Sequence, residues 1–215
     1  MNIIKVRAIF LSFLLLIGSV NLYAQTKDQM EQLEKTMKFH ELVDNGTKVR
    51  YTYKFEDLGK SKEVLLECLP NFIKLVDWAK ITDYDVKKEN DTFIVTFSAY
   101  YGNVGGRHNL GHDYNLYLSC NYRIDLKDNR VRVLVDFTDY TQYHLNKTGI
   151  LQTEQKSVVP FAIVPPYKKL PKEKDNRMYA ESFIKVHNLT FEMFSCIYQS
   201  FNMLVKKDPD ASTDW

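Results

Sequence analysis

The segment "YNLYLSCNYRIDLKDNRVRVLVDFTDYT", residues 114–141, decides the fold. Its first half sets Leu116, Leu118 and Cys120 on one side and Asn115, Tyr117, Ser119, Asn121 and Arg123 on the other. Its second half sets Val131, Val133 and Val135 against Arg132, Asp136 and Thr138. A period of two is the mark of a half-buried strand. "KDNR", residues 127–130, is tight-turn chemistry between the two halves. The segment therefore reads as an antiparallel hairpin with one apolar and one polar face.

The same alternation extends outward. "TFIVTFSAYY", residues 92–101, places Phe93, Val95 and Phe97 opposite Thr96, Ser98 and Tyr100, so strands are predicted at 83–89, 92–101, 114–125 and 130–141. Upstream, "VRYTYKFED" alternates Val49, Tyr51, Tyr53 and Phe55 with Arg50, Thr52, Lys54 and Glu56. Ser61 then caps a helix through "KEVLLECLPNFIKLVDWAK", residues 62–80, where Leu65, Cys68, Leu69, Phe72, Leu75 and Val76 form a stripe. Pro70 is expected to kink this helix without ending it. Residues 25–46 read as an N-terminal helical segment with Met30, Leu33 and Met37 on one side, broken by "DNG" at 44–46. "SVVPFAIVPPYKKLPKEKD", residues 157–175, holds four prolines and predicts an extended surface crossing. A last helix carries Phe183, Val186, Phe194, Ile197, Phe201 and Leu204 along one stripe, and a flexible tail covers 207–215.

Strand, helix, four strands and helix, each with one apolar face, have a simple solution. The expected fold is α+β in two layers: an antiparallel sheet of about five strands with both helices on one face, spanning residues 47–206.

The strand "YTYKFEDLGKSKEVL" at 51–65, Trp78, and the hairpin strand "LKDNRVRVLVDFTDY" at 126–140 resemble an uncharacterised family of secreted Bacteroidetes proteins. That family is described as a domain of unknown function with a fold like the TATA-binding protein. The resemblance covers roughly residues 48–145, and "KDNRVRV" at 127–133 carries it best. It implies the two-layer TBP-like fold and export; it offers no catalytic residues and implies no DNA binding.

Residues 1–25, "MNIIKVRAIFLSFLLLIGSVNLYAQ", begin with Lys5 and Arg7, continue through a short apolar run and close on Ala24. This is the layout of a secretory signal peptide, with cleavage expected after Ala24 and a periplasmic or secreted product without a membrane-spanning segment. The full chain carries a formal charge of +2, and residues 1–24 hold two basic and no acidic residues, so the remainder is neutral. Neutrality gives no electrostatic reason to bind nucleic acid. The three cysteines, Cys68, Cys120 and Cys196, have no C-x-x-C spacing and are expected to be unpaired core residues.

No G-x-S-x-G elbow, phosphate loop or dinucleotide fingerprint occurs, and no cofactor is implied. The expectation is a non-catalytic binding or cell-envelope-associated module. Its candidate surface is the polar sheet face, where Tyr100, Tyr117 and Tyr140 interleave with Asn121, Arg123 and Arg132. That mixture of rigid aromatic area and hydrogen-bond donors suits an envelope protein, a peptide or a glycan. The alternative is a small metal-binding protein or metal-dependent enzyme built on "GGRHNLGHDY", residues 105–114, with His108, His112 and Asp113 as ligands. The glycines there predict a loop between strands, and no glutamate stands between the histidines as a general base.

Overall fold

The computed structural model describes residues 31–147 and 153–203. The leader at 1–24, the start of the N-terminal segment and the tail at 207–215 lie outside the described residues. The chain divides into two compact units, Met1–Lys38 and Phe39–Trp215. In the first, residues 31–36 are helical, and Thr36 Oγ1 donates to the Leu33 carbonyl at 2.7 Å. Everything below concerns the second.

Among the described residues that unit is an antiparallel sheet of eight strands with few helices, an α+β fold. The strands are β1 (His40–Val43), β2 (Lys48–Phe55), β3 (Lys80–Glu89), β4 (Thr92–Asn109), β5 (His112–Lys127), β6 (Arg130–Phe137), β7 (Asp139–Asn146) and β8 (Thr153–Pro160). The helices are α1 (Lys62–Cys68) and α2 (Glu173–Asn202). The strand order is β1-β2-β6-β5-β4-β3, with β7 beside β5 and β8 beside β7. Eight strands exceed the expected five. One extra strand, β1, lies inside the stretch whose periodicity predicts a helix. Another, β8, opens the proline-rich stretch as an edge strand ending on Pro160, the position a sheet tolerates for proline.

The hairpin of β4 and β5 is the spine. The two strands pair from Phe93–Leu126 out to Asn109–His112, so "GNVGGRH" is strand, and the connection itself is a tight turn at Leu110 and Gly111. Register shifts beside Tyr101 and Val104 let the ribbon bend, as bulges do, and Gly102 sits there with φ of 68°. Gly105 is needed for a different reason, since a Cβ at this position would lie 1.9 Å from Ser182 Oγ of α2. Glycine here lets the helix approach the sheet.

The other flank of β5 is shared. Residues 121–127 pair with β6 and residues 112–118 with β7, so β6 and β7 form one interrupted line. Asn121 faces Asp136 while Leu118 faces Tyr140, which sets two residues of β5 against three on the other side. The extra residue at Thr138 reverses the facing of everything after it.

Both helices lie on one face, as expected. Leu65, Phe72, Phe183, Val186, Ile197 and Phe201 pack there against a sheet layer of valines, leucines and aromatics that is almost wholly buried. Each such side chain contributes on the order of 1.5–3 kcal/mol. Ser61 caps α1 through its hydroxyl, 3.4 Å from the Val64 amide. The helix beyond Pro70 does not continue as α: Leu69–Leu75 is a 3-10 segment with the proline in its first turn, and the chain has turned into β3 by Lys80. A residue without an N–H is accommodated by tightening the helix rather than kinking it. Cys68, Cys120 and Cys196 are buried and unpaired. Among the described residues no helix is long and apolar enough to cross a membrane.

Candidate functional site: the open sheet face

Alternation along β5 delivers Tyr117, Ser119, Asn121, Arg123 and Asp125 to the face opposite the helices, beside Ser98 and Tyr100 of β4 and Arg132 and Asp136 of β6. Among the described residues of this unit both helices pack on the other face. At one end Tyr100, 42% exposed, and Tyr117 lie with ring planes within 2° of parallel and centroids 6.3 Å apart. Tyr143 meets Tyr117 edge-on at 5.2 Å, and Lys156 lies 5.9 Å from the Tyr143 ring centre. Burial and the neighbouring phenols of Tyr117 and Tyr143 push the Tyr100 hydroxyl up, so it stays a neutral donor. In the middle, Ser98 Oγ donates to Asn121 Oδ1 at 3.1 Å; on the ribbon-tip side of the tyrosines, Asn103 donates to Asn115 Oδ1 at 3.1 Å.

At the other end stands a charged triad. Asp125, only 6% exposed, accepts from Arg123 Nε at 2.8 Å on one oxygen and from Arg132 Nε at 2.9 Å on the other. Burial by itself would raise this carboxyl, but the hydrogen bonds and charges of Arg123 and Arg132 bring it below the usual carboxylate range. Asp125 and Arg132 face each other across the β5–β6 ladder, and Arg123 stands two residues along. The triad borders a depression of about 380 Å³ that also touches Lys54, Lys127 and Arg130. A second depression of about 310 Å³, touching Arg50, Ser98 and Asn121, adjoins it at Arg123.

Of the predicted binding residues, Tyr100, Tyr117, Asn121, Arg123 and Arg132 share this face, and Tyr140 does not. Tyr140 is fully buried on the helix side, stacked on Phe161 at 4.7 Å, because the extra residue at Thr138 reverses its facing. Tyr143 takes the place on the open face that the unbroken alternation assigns to Tyr140. Asp125 was missed as well, although the signal was present: the turn "KDNR" fixes a register that pairs it with Arg132.

Three of the five histidines gather at the tip of the β4–β5 ribbon, on both sides of it. On the open side His108 Nδ1 contacts Asp113, whose other oxygen meets Lys147; Lys147 first and His108 second hold that carboxyl low. On the helix side His112 Nδ1 lies 3.0 Å from His144 Nε2, and His144 stacks on Tyr114 at 4.3 Å. His108 and Asp113 are thus brought together, and His112 is turned away from them. Among the described residues no group of three His, Cys, Asp or Glu is placed to hold a metal ion.

Two solved structures are similar to this chain. One is a TBP-like protein from Parabacteroides distasonis, at 17% identity and TM-score 0.42, covering 73% of this chain and 96% of that one. The other is a DUF4468 family protein from Bacteroides ovatus, at 13% identity and TM-score 0.42, covering 78% of this chain and 93% of that one. No protein-family model and no curated protein matches the chain.

Proposed function

We propose that the protein is an exported, non-catalytic, envelope-associated binding module that takes its partner, an envelope protein, a peptide or a glycan, on the open sheet face. The observation that carries the reading is the parallel Tyr100–Tyr117 pair, Tyr100 exposed and Tyr117 half-buried, on a face that also carries the Asn121 amide and the Arg123 and Arg132 guanidinium groups. Tyrosine supplies large contact area at low entropic cost, and side-chain amides and arginines supply direction. Support for export comes from residues 1–25 of the sequence alone.

The test is fluorine NMR of protein labelled with 3-fluorotyrosine, titrated with envelope polysaccharide and with peptide pools. The expected response is a shift of the Tyr100, Tyr117 and Tyr143 resonances with Tyr51 and Tyr122 unmoved. Responses confined to Tyr114, beside His144, would instead favour the ribbon tip. A metal-binding reading has one observation in its favour there, the 3.0 Å approach of two imidazole nitrogens. Zinc titration of the native chain and of His144→Ala separates the two.

A further inference from the structure

We infer that the ligand of the open face is an acidic glycan, with the Arg123–Asp125–Arg132 triad as its anion subsite and the Tyr100–Tyr117 pair as its sugar-ring subsite. The inference rests on the binding-face reading above and names the ligand class.

The first argument is charge stoichiometry. Elsewhere on the same face Arg50 and Asp136 form a one-to-one pair, with Nε and Nη2 each engaging a separate carboxylate oxygen at 2.6 and 2.7 Å. That guanidinium is spent on its partner. Arg123 and Arg132, by contrast, share one carboxylate, so the triad keeps a net positive charge. Arg123 gives Asp125 its Nε, and neither of its Nη groups is used on this carboxylate. The Asp125 side chain is 7% exposed while the two arginine side chains are 49% and 51% exposed. Arg132 sends Nη2 as well as Nε to Asp125, so the free fork of the triad is the Arg123 edge carrying both Nη groups, held in place by a buried carboxylate and matched to the oxygens of carboxylates and sulfates. The adjoining depression is bordered by five basic residues, Lys54, Arg123, Lys127, Arg130 and Arg132, against Glu56, Glu89 and Asp125. The excess charge belongs to the recess; the chain after residue 24 is neutral.

The second argument is layout. Tyr117 and Arg123 stand six residues apart on one strand face, roughly 20 Å at strand rise. The amide of Asn121 and the hydroxyls of Ser98 and Ser119 lie between them. An aromatic platform, a run of hydrogen-bonding groups and an anion fork in one line suit an extended polymer of rings bearing acid groups.

The third argument separates a glycan from an acidic peptide. Peptides gain affinity from a sheet by adding a strand at an open edge. Here β4, β5 and β6 are paired along both sides where the site lies, so no backbone edge is offered. Recognition must run through ring faces, amides and guanidinium groups, which sugars satisfy with their own ring faces and hydroxyls.

Calorimetric titration of the full chain against five probes tests this: oligogalacturonate, sulfated dextran, neutral dextran, chondroitin sulfate and poly-glutamate. The acid sugars are expected to bind at least about tenfold tighter than neutral dextran at low salt, and to lose that margin as salt rises. Preference between oligogalacturonate and sulfated dextran tells carboxylate from sulfate as the source of the anion. Arg123→Gln is expected to weaken acid-sugar binding by about tenfold and to leave neutral dextran unchanged. Arg132 stays on Asp125 in that variant, so the buried carboxylate keeps a partner, and an unchanged melting temperature confirms the fold. Tyr117→Ala is expected to weaken acidic and neutral sugars alike. Equal affinity for acidic and neutral dextran, lost in Tyr117→Ala, overturns the anion subsite and leaves the binding face standing. Poly-glutamate binding as tightly as oligogalacturonate overturns the glycan in favour of an acidic peptide. Silence with all five probes overturns the ligand class, and the fluorotyrosine titration with peptides then decides the face itself.

Discussion

Tyr100 and Tyr101 are neighbours in the chain and opposites in the fold. Tyr101 is 4% exposed; its hydroxyl hydrogen-bonds that of Tyr122, and Trp78 packs edge-on against its ring at 5.5 Å. Burial drives both phenols well above their usual range, so both stay neutral at pH 7. Tyr100 stands in solvent with its ring parallel to that of Tyr117. One residue type therefore builds the covered face and equips the open one, and the assignment is made by the parity of a strand position. Stability belongs to the first face, so substitutions there should cost far more than substitutions on the second.

The sharpest way to break that comparison is Phe183→Ala. Phe183 is fully buried on α2, with Phe161, His40 and Tyr167 rings at 5.3, 5.3 and 5.8 Å. Removing it is expected to cost about 3–5 kcal/mol in urea unfolding. A loss below about 1 kcal/mol would mean that the helix is not the main cover of the sheet.

Gly105→Ala probes the same contact from the strand side. The new Cβ would stand 1.9 Å from Ser182 Oγ, and Ser182 is itself buried and bonded to the Met178 carbonyl at 2.8 Å. The helix must shift, at an expected cost of about 1–3 kcal/mol. Gly105→Ala combined with Ser182→Gly should recover most of that loss, as a steric origin requires.

These two residues also show what the sequence could and could not tell. The covered and open faces of β5 were legible because Leu, Ser, Cys and Asn alternate without ambiguity from 118 to 121. "GNVGGRH" was not, since glycine has no side chain with which to declare a face, and the same absence admits α2. Tyr140 was misplaced because "VDFTDYTQY" reads equally well in either phase, tyrosine being at home on both faces; only pairing to β5 exposes the extra residue. β1 is four residues long, too short for a period to emerge beside a charged helical stretch. The triad was half legible: Arg123 and Arg132 were found by parity, and Asp125, which orients them, needed the register of the turn.

A smaller effect is expected from His187, at the margin of the covered face. Its Nδ1 lies 3.2 Å from the Tyr51 hydroxyl, and burial lowers its pKa. The unfolded chain therefore takes up a proton more readily than the folded one. Stability is unaffected well above the unfolded value of about 6.5 and declines as pH falls through it, until the folded ring also protonates. The melting temperature of His187→Gln should fall less than that of the native chain between about pH 7.5 and pH 5. An identical fall in both would place the acid sensitivity elsewhere, with the carboxylates.

The smallest expected change in stability is the one that bears most on function. Tyr100→Ala removes a ring whose neighbours are the half-buried Tyr117 ring and solvent, so unfolding free energy should move by no more than about 0.5 kcal/mol. Tyr101→Ala, one residue on, empties a site walled by Trp78, Tyr122 and Phe137 and should cost about 3–5 kcal/mol. Measured side by side, the two variants read the parity of β4 directly. Equal costs would mean that the open face is covered in solution, because only a covered ring is expensive to remove. If Tyr100→Ala is neutral for folding and weakens sugar binding, the face is both exposed and used, and its tyrosines are present for something other than the fold.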